Sequence, residues 1–362
     1  MKKALIYLSI TALINIVFRL ISRFSAPFSE WYAVNIYPLK VGFWGRITGV
    51  FPFAVVEILL YILILSFIAG AVYLIIRLVK GRGRRLKILL NATVALSCAV
   101  STMLMIFLFS CEINYQRLPF SHHSGLKLEL YAREDLRGVL LEVIDELHRI
   151  VPNIETGEQG QFVFKKTALN RPARDAMNRL GELYPALDTY YPRPKPVLLS
   201  RQILSPMQVA GIFSPFTFEA LYNGDMPDSS KPFTALHELS HLNGFMREDE
   251  ANFIAFLACR ESGDADLMYS GYLNALGYLL GAYDGDDFFD IYLSVPEQVL
   301  VQYRYNSEYW RSFLEAPGGA AIAAVSTAVN DTYLIIQGQE DGVKSYGRVV
   351  DLLIADYLHR NT

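Results

Sequence analysis

Lys231 to Cys259 reads KPFTALHELSHLNGFMREDEANFIAFLAC. His237 and His241 stand four residues apart, so on a helix their imidazoles share one face. Glu238, next to His237, can reach a water held at the same point. His-Glu-x-x-His is the arrangement of a zinc hydrolase: two neutral nitrogen ligands, a third ligand from elsewhere, and a carboxylate that takes a proton from water at the metal. The pattern predicts Zn2+ on His237 and His241, with Glu238 as general base. Start and stop signals frame the helix. Ser229 or Ser230 suits its cap, Pro232 its first turn and Gly244 the position that ends it. Phe233, Leu236 and Leu239 give it an apolar surface to bury. The blander reading is a buried helix whose histidines only hydrogen-bond. The other four histidines (His122, His123, His148 and His359) are scattered, so the pair does not come from a His-rich tract.

No histidine lies close downstream, so the third ligand is expected to be a carboxylate among Glu248, Asp249 and Glu250. Residues two apart point to nearly opposite sides of a helix, so Glu248 and Glu250 cannot both face the metal. Asp249 suits the cap of the second helix, which leaves Glu248 just outside it. Glu248 is therefore preferred, with Glu250 as the alternative. Asn252, four residues after Glu248, can steady a ligating histidine. Acids at a helix start also answer its dipole, which accounts for the remainder.

The chain has 362 residues, enough for one large domain or two modest ones. Its net charge of −3 is a sum over two unlike parts. Residues 1–110 hold 12 Lys and Arg but only Glu30 and Glu57 as acids. Residues 111–362 hold 21 basic and 34 acidic residues, a net of −13. Phosphate binding needs clustered Lys and Arg, so the acidic part argues against nucleic acid. The cysteines are Cys98, Cys111 and Cys259. They contain no C-x-x-C and are too few for a disulfide scaffold, although nothing forbids a Cys111–Cys259 pair.

Three apolar runs precede Cys111, at about 4–22, 51–78 and 88–110, each long enough to span a bilayer. The first follows Lys2 and Lys3. Arg19 falls where cleavage of a signal peptide would be expected, so an uncleaved anchor is predicted. The basic stretch Lys80 to Lys87 belongs on the cytoplasmic side, and Lys2 and Lys3 agree with it across two crossings. The expectation is a multi-pass protein with residues 1–110 as a membrane domain and residues 111–362 outside the cytoplasm. The loop Arg23–Val50 is then outside as well. Its Phe24, Phe28, Trp31, Tyr32, Tyr37, Phe43 and Trp44 suit either a membrane interface or packing against the outer domain.

The outer part is expected to be mostly helical, with a small β element. Helices are predicted over Glu134–Ile150, Ala173–Tyr184, Asp249–Cys259, Leu267–Tyr283, Phe288–Phe313, Ala320–Ile336 and Val343–Leu358. Val197–Leu204 and Gly211–Leu221 are β-prone. The segment Gly211 to Glu219 is either an edge strand on which a peptide can pair or a cover for the core. Asp284-Gly285-Asp286-Asp287 lacks the spacing of a calcium loop and reads as a solvated turn. Tyr333, Tyr346 and His359 are candidates to donate to a developing oxyanion. Asn330 and Asp331 can anchor a histidine or make a buried polar contact.

His-Glu-Leu-Ser-His followed by Glu248-Asp-Glu250-Ala-Asn252 resembles the gluzincin metallopeptidases, whose glutamate ligand opens an E-x-x-x-D or E-x-x-x-N helix. Glu248 and Asn252 match that pattern. The spacer from His241 to Glu248 is short for the group, and Arg247 stands where the metzincin pattern has its third histidine. More of the chain resembles an uncharacterised bacterial membrane family, domain of unknown function 3810. That likeness rests on the three crossings, Asn114-Tyr115-x-Arg117, Pro215-Phe216-Thr217-x-Glu219, Pro232-Phe233-Thr234 and Asn330-Asp331-x-Tyr333-Leu334. Together these resemblances imply a zincin-like zinc metallopeptidase anchored in a bacterial membrane and acting on a peptide or protein outside the cytoplasm. The rival expectations are a non-catalytic receptor or assembly protein on the same scaffold, and a zinc amidase acting on the cell wall.

Overall fold

A computed structural model describes residues 2–164, 169–339 and 347–361. The protein is mostly helical. The first five helices are α1 (Lys2–Phe24), α2 (Ala26–Asn35), α3 (Tyr37–Gly49), α4 (Val55–Lys80) and α5 (Arg85–Ser110). Then come α6 (Phe120–Ser124), α7 (Arg133–Ile150), α8 (Asn170–Leu183), α9 (Lys231–Leu242) and α10 (Glu248–Glu261). The last five are α11 (Ala265–Ala282), α12 (Phe288–Ser294), α13 (Glu297–Glu315), α14 (Gly319–Ile336) and α15 (Gly347–Asn361). A two-stranded antiparallel sheet joins β1 (Glu155–Thr156) to β2 (Phe162–Val163). A three-stranded sheet has the order β3 (Lys195–Pro196), β5 (Glu219–Tyr222), β4 (Gly211–Ser214). β5 runs parallel to β3 and antiparallel to β4, with Gly211 opposite Tyr222 and Ser214 opposite Glu219.

Four helices, α1, α4, α5 and α14, are long and apolar enough to cross a membrane by length and composition. α1 and α5 pack along each other through hydrogen bonds between small polar groups. Thr11 meets Ser101 at 2.8 Å and Tyr7 meets Thr102 at 2.7 Å. Small residues of this kind let apolar helices approach closely. The expected loop at 23–50 is instead α2 and α3. Tyr32 and Tyr37 are buried against the rest of the chain, as the packing reading has it, while Trp31, Phe43 and Trp44 stay exposed.

The core lies around α9 and α10, which are flanked by α8, α11 and α15, with α7 packed on α11 and α15. α9 ends as Gly244 predicts. Its φ is +97°, its N–H donates to His241 O at 2.9 Å, and Phe245 N–H donates to Ser240 O at 3.2 Å. That double bond closes the open carbonyls of the last turn. The start differs from expectation. Neither Ser229 nor Ser230 caps α9 through its side chain. Ser270 of α11 does so instead, accepting the Phe233 N–H at 3.0 Å and donating to Ser229 O at 2.5 Å.

Several sequence expectations are corrected. The helix expected over Phe288–Phe313 breaks at Val295 and Pro296, because proline has no N–H to continue the ladder. Val197–Leu204 forms no strand, since the Leu198 and Leu199 N–H groups donate to Glu57 of α4 at 2.8 and 3.1 Å. Cys111 and Cys259 do not pair; both are buried free thiols, beside Met246 and Gly271 respectively. The acidic stretch at 284–287 is a solvent-facing turn as expected, with Asp284 and Asp287 meeting Arg133 and Arg137 at 3.2 and 2.7 Å.

The largest departure concerns α4. Val55 and Val56, at its start, donate their N–H groups to the two oxygens of Glu219 on β5, each at 2.9 Å. Lys195 of β3 meets the same carboxylate at 2.6 Å and is buried with it. Glu57 answers in the other direction by accepting from Leu198 and Leu199. Helix and sheet thus satisfy each other's open donors, as backbone groups taken out of water require.

Candidate metal and hydrolytic site

The step from α9 to α10 is a short turn, Asn243 to Arg247, and it folds the first residue of α10 back over the last two turns of α9. Glu248 opens α10 rather than preceding it, with Arg247 in the cap position. Asp249 thus lies inside the helix and is not its cap, contrary to the expectation from sequence. Glu248 Oε2 lies 3.3 Å from His237 Nε2 and Oε1 lies 3.6 Å from His241 Nε2. The two imidazoles stand nearly perpendicular, 4.6 Å between centroids. One ligand atom from each of His237, His241 and Glu248 lies within 4.8 Å of the others. Among the described residues this is the group so arranged.

His241 Nδ1 lies 2.9 Å from the Phe245 carbonyl, a contact that fixes Nδ1 as the donor and leaves the Nε2 lone pair for the shared point. His237 Nδ1 is buried and without a hydrogen-bond partner, and Asn252, also short of a partner at Nδ2, lies beside it. Burial works against the charged form of His237, but the Glu248 contact outweighs it and raises that ring's pKa. Burial, with His237 nearby, pushes His241 down to about 4. Burial alone would raise Glu248, yet the hydrogen bond from His237 and the charge of both rings hold it at about 2. Two imidazole nitrogens and a carboxylate around one point, with one ring locked for ligation, form a donor set that fits Zn2+.

Glu238 is buried on α9, and burial pushes its carboxyl up to about 8. The backbone of β4 lies directly on it. A Cβ built at Gly211 would stand 2.4 Å from Glu238 Oε1 and 2.6 Å from Thr234 Cγ2. Only a residue without a side chain lets the strand come this close. Phe213 of β4 follows, its ring 6.5 Å from that of His241.

The other candidates lie elsewhere. Glu250 turns away from the histidines, accepting the Phe120 N–H at 2.9 Å with Arg247 at 3.7 Å. Tyr333 meets Tyr115 Oη at 3.1 Å and Cys111 Sγ at 3.5 Å. Asn330 is exposed on α14, and Asp331 beside it is half-buried. His359 sits in the last turn of α15. Tyr346 lies outside the described residues.

Sequence reasoning did not assign Tyr115, which is close enough to Glu248 to feel its charge, or Arg117. Arg117 is buried, donates to Asn243 O at 3.4 Å and Glu30 at 3.3 Å, and stacks 3.9 Å from the Phe245 ring. The motif Asn114-Tyr115-x-Arg117 thus braces the turn that folds Glu248 over the histidines. The motif Pro215-Phe216-Thr217-x-Glu219 has a comparable explanation. Thr217 closes the β4–β5 turn on Ser214 at 2.8 Å, and Glu219 holds the start of α4.

No curated protein and no solved structure matches the chain. One family model does, described as Protein of unknown function (DUF3810), and it covers residues 32–354, from α2 through most of α15 with the whole His237, His241 and Glu248 cluster inside it. With nearly its full length matched, the chain belongs to the DUF3810 family.

Proposed function

We propose that this protein is a membrane-anchored zinc metallopeptidase of gluzincin-like type. The observation that carries the reading is the convergence of His237, His241 and Glu248 beside a buried Glu238. In this reading His237, His241 and Glu248 hold Zn2+, and Asn252 steadies His237. Bound zinc supplies Lewis-acid polarisation of the scissile carbonyl and a nucleophilic water. Glu238 takes the proton of the attacking water and delivers it to the leaving amine. The β4 backbone on Glu238 keeps that carboxylate aimed and excludes bulk water from one side.

The proposed topology has three crossings, α1, α4 and α5, dividing a membrane domain at residues 1–110 from a zincin-like domain at 111–362. The basic stretch between α4 and α5 favours the cytoplasmic side for that end, which leaves the metal cluster outside the cytoplasm, facing peptide or protein substrates. A non-catalytic receptor on the same scaffold is the rival reading. It is favoured by one observation: the His237–Glu248 contact closes the cluster by itself.

The deciding experiment compares the purified full-length chain with Glu238→Gln for bound zinc and for hydrolysis of a casein or mixed peptide substrate. The expected result is equal zinc and loss of hydrolysis in the variant. A wild-type chain that binds no zinc, or a fully active Gln variant, overturns the proposal.

A further inference from the structure

α14 has the length and composition of a crossing, yet its two ends are tied to the same body. Before it, α13 docks on the segment that leads into β4. Tyr309 Oη meets Ser205 Oγ at 2.7 Å and Asp225 at 2.9 Å, and the Arg201 guanidinium lies 5.6 Å from the Phe313 ring. That segment is held at Leu198 and Leu199 by Glu57, in the first turn of α4. At the far end, Tyr333 meets Cys111, the residue after α5, and its ring lies edge-on to Phe107 at 6.2 Å. Gln337 and Gln339 are then buried, and α15 returns to α7 and α10. Eighteen helical residues reach about 27 Å, close to the roughly 30 Å of a hydrocarbon core. A crossing would put the ends on opposite faces of the bilayer, whereas the far end meets the end of α5 directly and the near end is joined through α13 to the segment that Glu57 holds at the start of α4.

Most of the large exposed apolar side chains of α14 share a direction. Ala323 and Leu334 are its buried residues apart from the first glycine, and they lie on one side. Ile322, Val325, Val329 and Ile336 follow at spacings of three, four and seven, which makes one stripe on the opposite side, and all four are exposed. Leu198 and Leu199, whose N–H groups bond Glu57 at the start of α4, and Leu314, at the end of α13, are exposed as well. An apolar stripe on a helix whose Tyr333 meets Cys111 and Phe107 at the end of α5, itself of spanning length and composition, has lipid as its fitting cover.

We infer that α14 lies along the bilayer surface, with its Ile322–Val325–Val329–Ile336 stripe sunk in the leaflet from which α4 and α5 emerge, and does not cross. The partner is the lipid surface itself. The metal cluster is then on the side of the bilayer where α14 lies, because Tyr333 on α14 meets Tyr115, which is close enough to Glu248 to feel its charge.

The test uses the full-length chain with Cys98→Ser, in phosphatidylcholine–phosphatidylglycerol nanodiscs. Nitroxide labels are placed singly at Ile322→Cys, Val325→Cys, Val329→Cys and Ile336→Cys, with Leu183→Cys, at an exposed position of α8, as control. Collision with oxygen and with a water-soluble nickel chelate reports depth. All four stripe positions should favour oxygen several-fold over the control, at similar shallow depth. Nickel access equal to the control overturns the inference. So does a depth profile peaking at the helix centre, which means a crossing, or exclusion of both reagents, which means protein cover. These labels read lipid contact with no metal and no turnover, so the result stands apart from the peptidase proposal.

Discussion

Gly211 and Glu238 touch backbone to carboxylate: a Cβ on the glycine would sit 2.4 Å from Glu238 Oε1. Gly211→Ala should therefore push Glu238 or β4 out of place while leaving His237, His241 and Glu248 intact. A shift near 1 Å at a reacting group can cost about a hundredfold in rate. Zinc content should stay at the wild-type level while hydrolysis falls by roughly that factor. An alanine variant with full activity would show that Glu238 is not held by the strand.

Glu248 and Glu250 separate by what they face. Glu248→Ala should abolish stoichiometric zinc, since both its oxygens lie at the histidines. Glu250→Ala should keep zinc but destabilise the fold by about 1–3 kcal/mol, because it orphans the buried Phe120 N–H. Metal analysis and thermal melts of the two variants check this together, and loss of zinc at Glu250 alone would reverse the assignment.

Glu219 and Lys195 form a buried pair at 2.6 Å, and Glu219 also holds the first two N–H groups of α4. Removing one partner of a buried pair leaves a charge uncompensated, typically at about 3–5 kcal/mol. Glu219→Gln should lower Tm markedly in detergent, and adding Lys195→Met should recover much of the loss. An unchanged melt for Glu219→Gln would mean that the pair does not hold α4 to the sheet.

Glu30 offers a pH dependence. Burial raises its carboxyl, but hydrogen bonds and charge from His123 and Arg117 outweigh that and hold it down at about 2, against an ordinary 4.5. Folding thus favours the ionised form. Its stabilisation is fully present above pH 4.5 and is lost as the pH falls toward 2. Glu30→Gln should therefore cost stability near neutral pH, on the order of 1 kcal/mol after solvent screening, with the gap to wild type closing in acid. Denaturation midpoints across that range measure it, and a gap that widens in acid would contradict the sign.

Much of the helical plan was legible in local pattern. The stop at Gly244 followed from one glycine at the end of a periodic run, and the apolar runs announced α1, α4 and α5 by length. The break at Pro296 was legible too, but the apolar periodicity on either side of it masked the proline. Ser270 as the cap of α9 was not legible, because Ser229 and Ser230 are the nearer hydroxyls and local spacing cannot tell which one the fold aims elsewhere. The aromatics of 23–50 divided between burial and exposure, and no local feature of Tyr37 or Trp44 tells them apart.

By itself the sequence determined the pieces of this protein: the paired histidines on one helix face, the acids that open the next helix and the apolar runs. These depend on spacing within a few residues, where helix geometry is fixed. The tertiary structure decided how the pieces meet. It turned Glu248 and not Glu250 toward the histidines, laid Gly211 on Glu238, and tied the start of α4 to the sheet through Glu219 and to Leu198 and Leu199 through Glu57. Those outcomes depend on long-range packing, where buried donors take whichever acceptor the fold brings near, and no spacing along the chain encodes that choice.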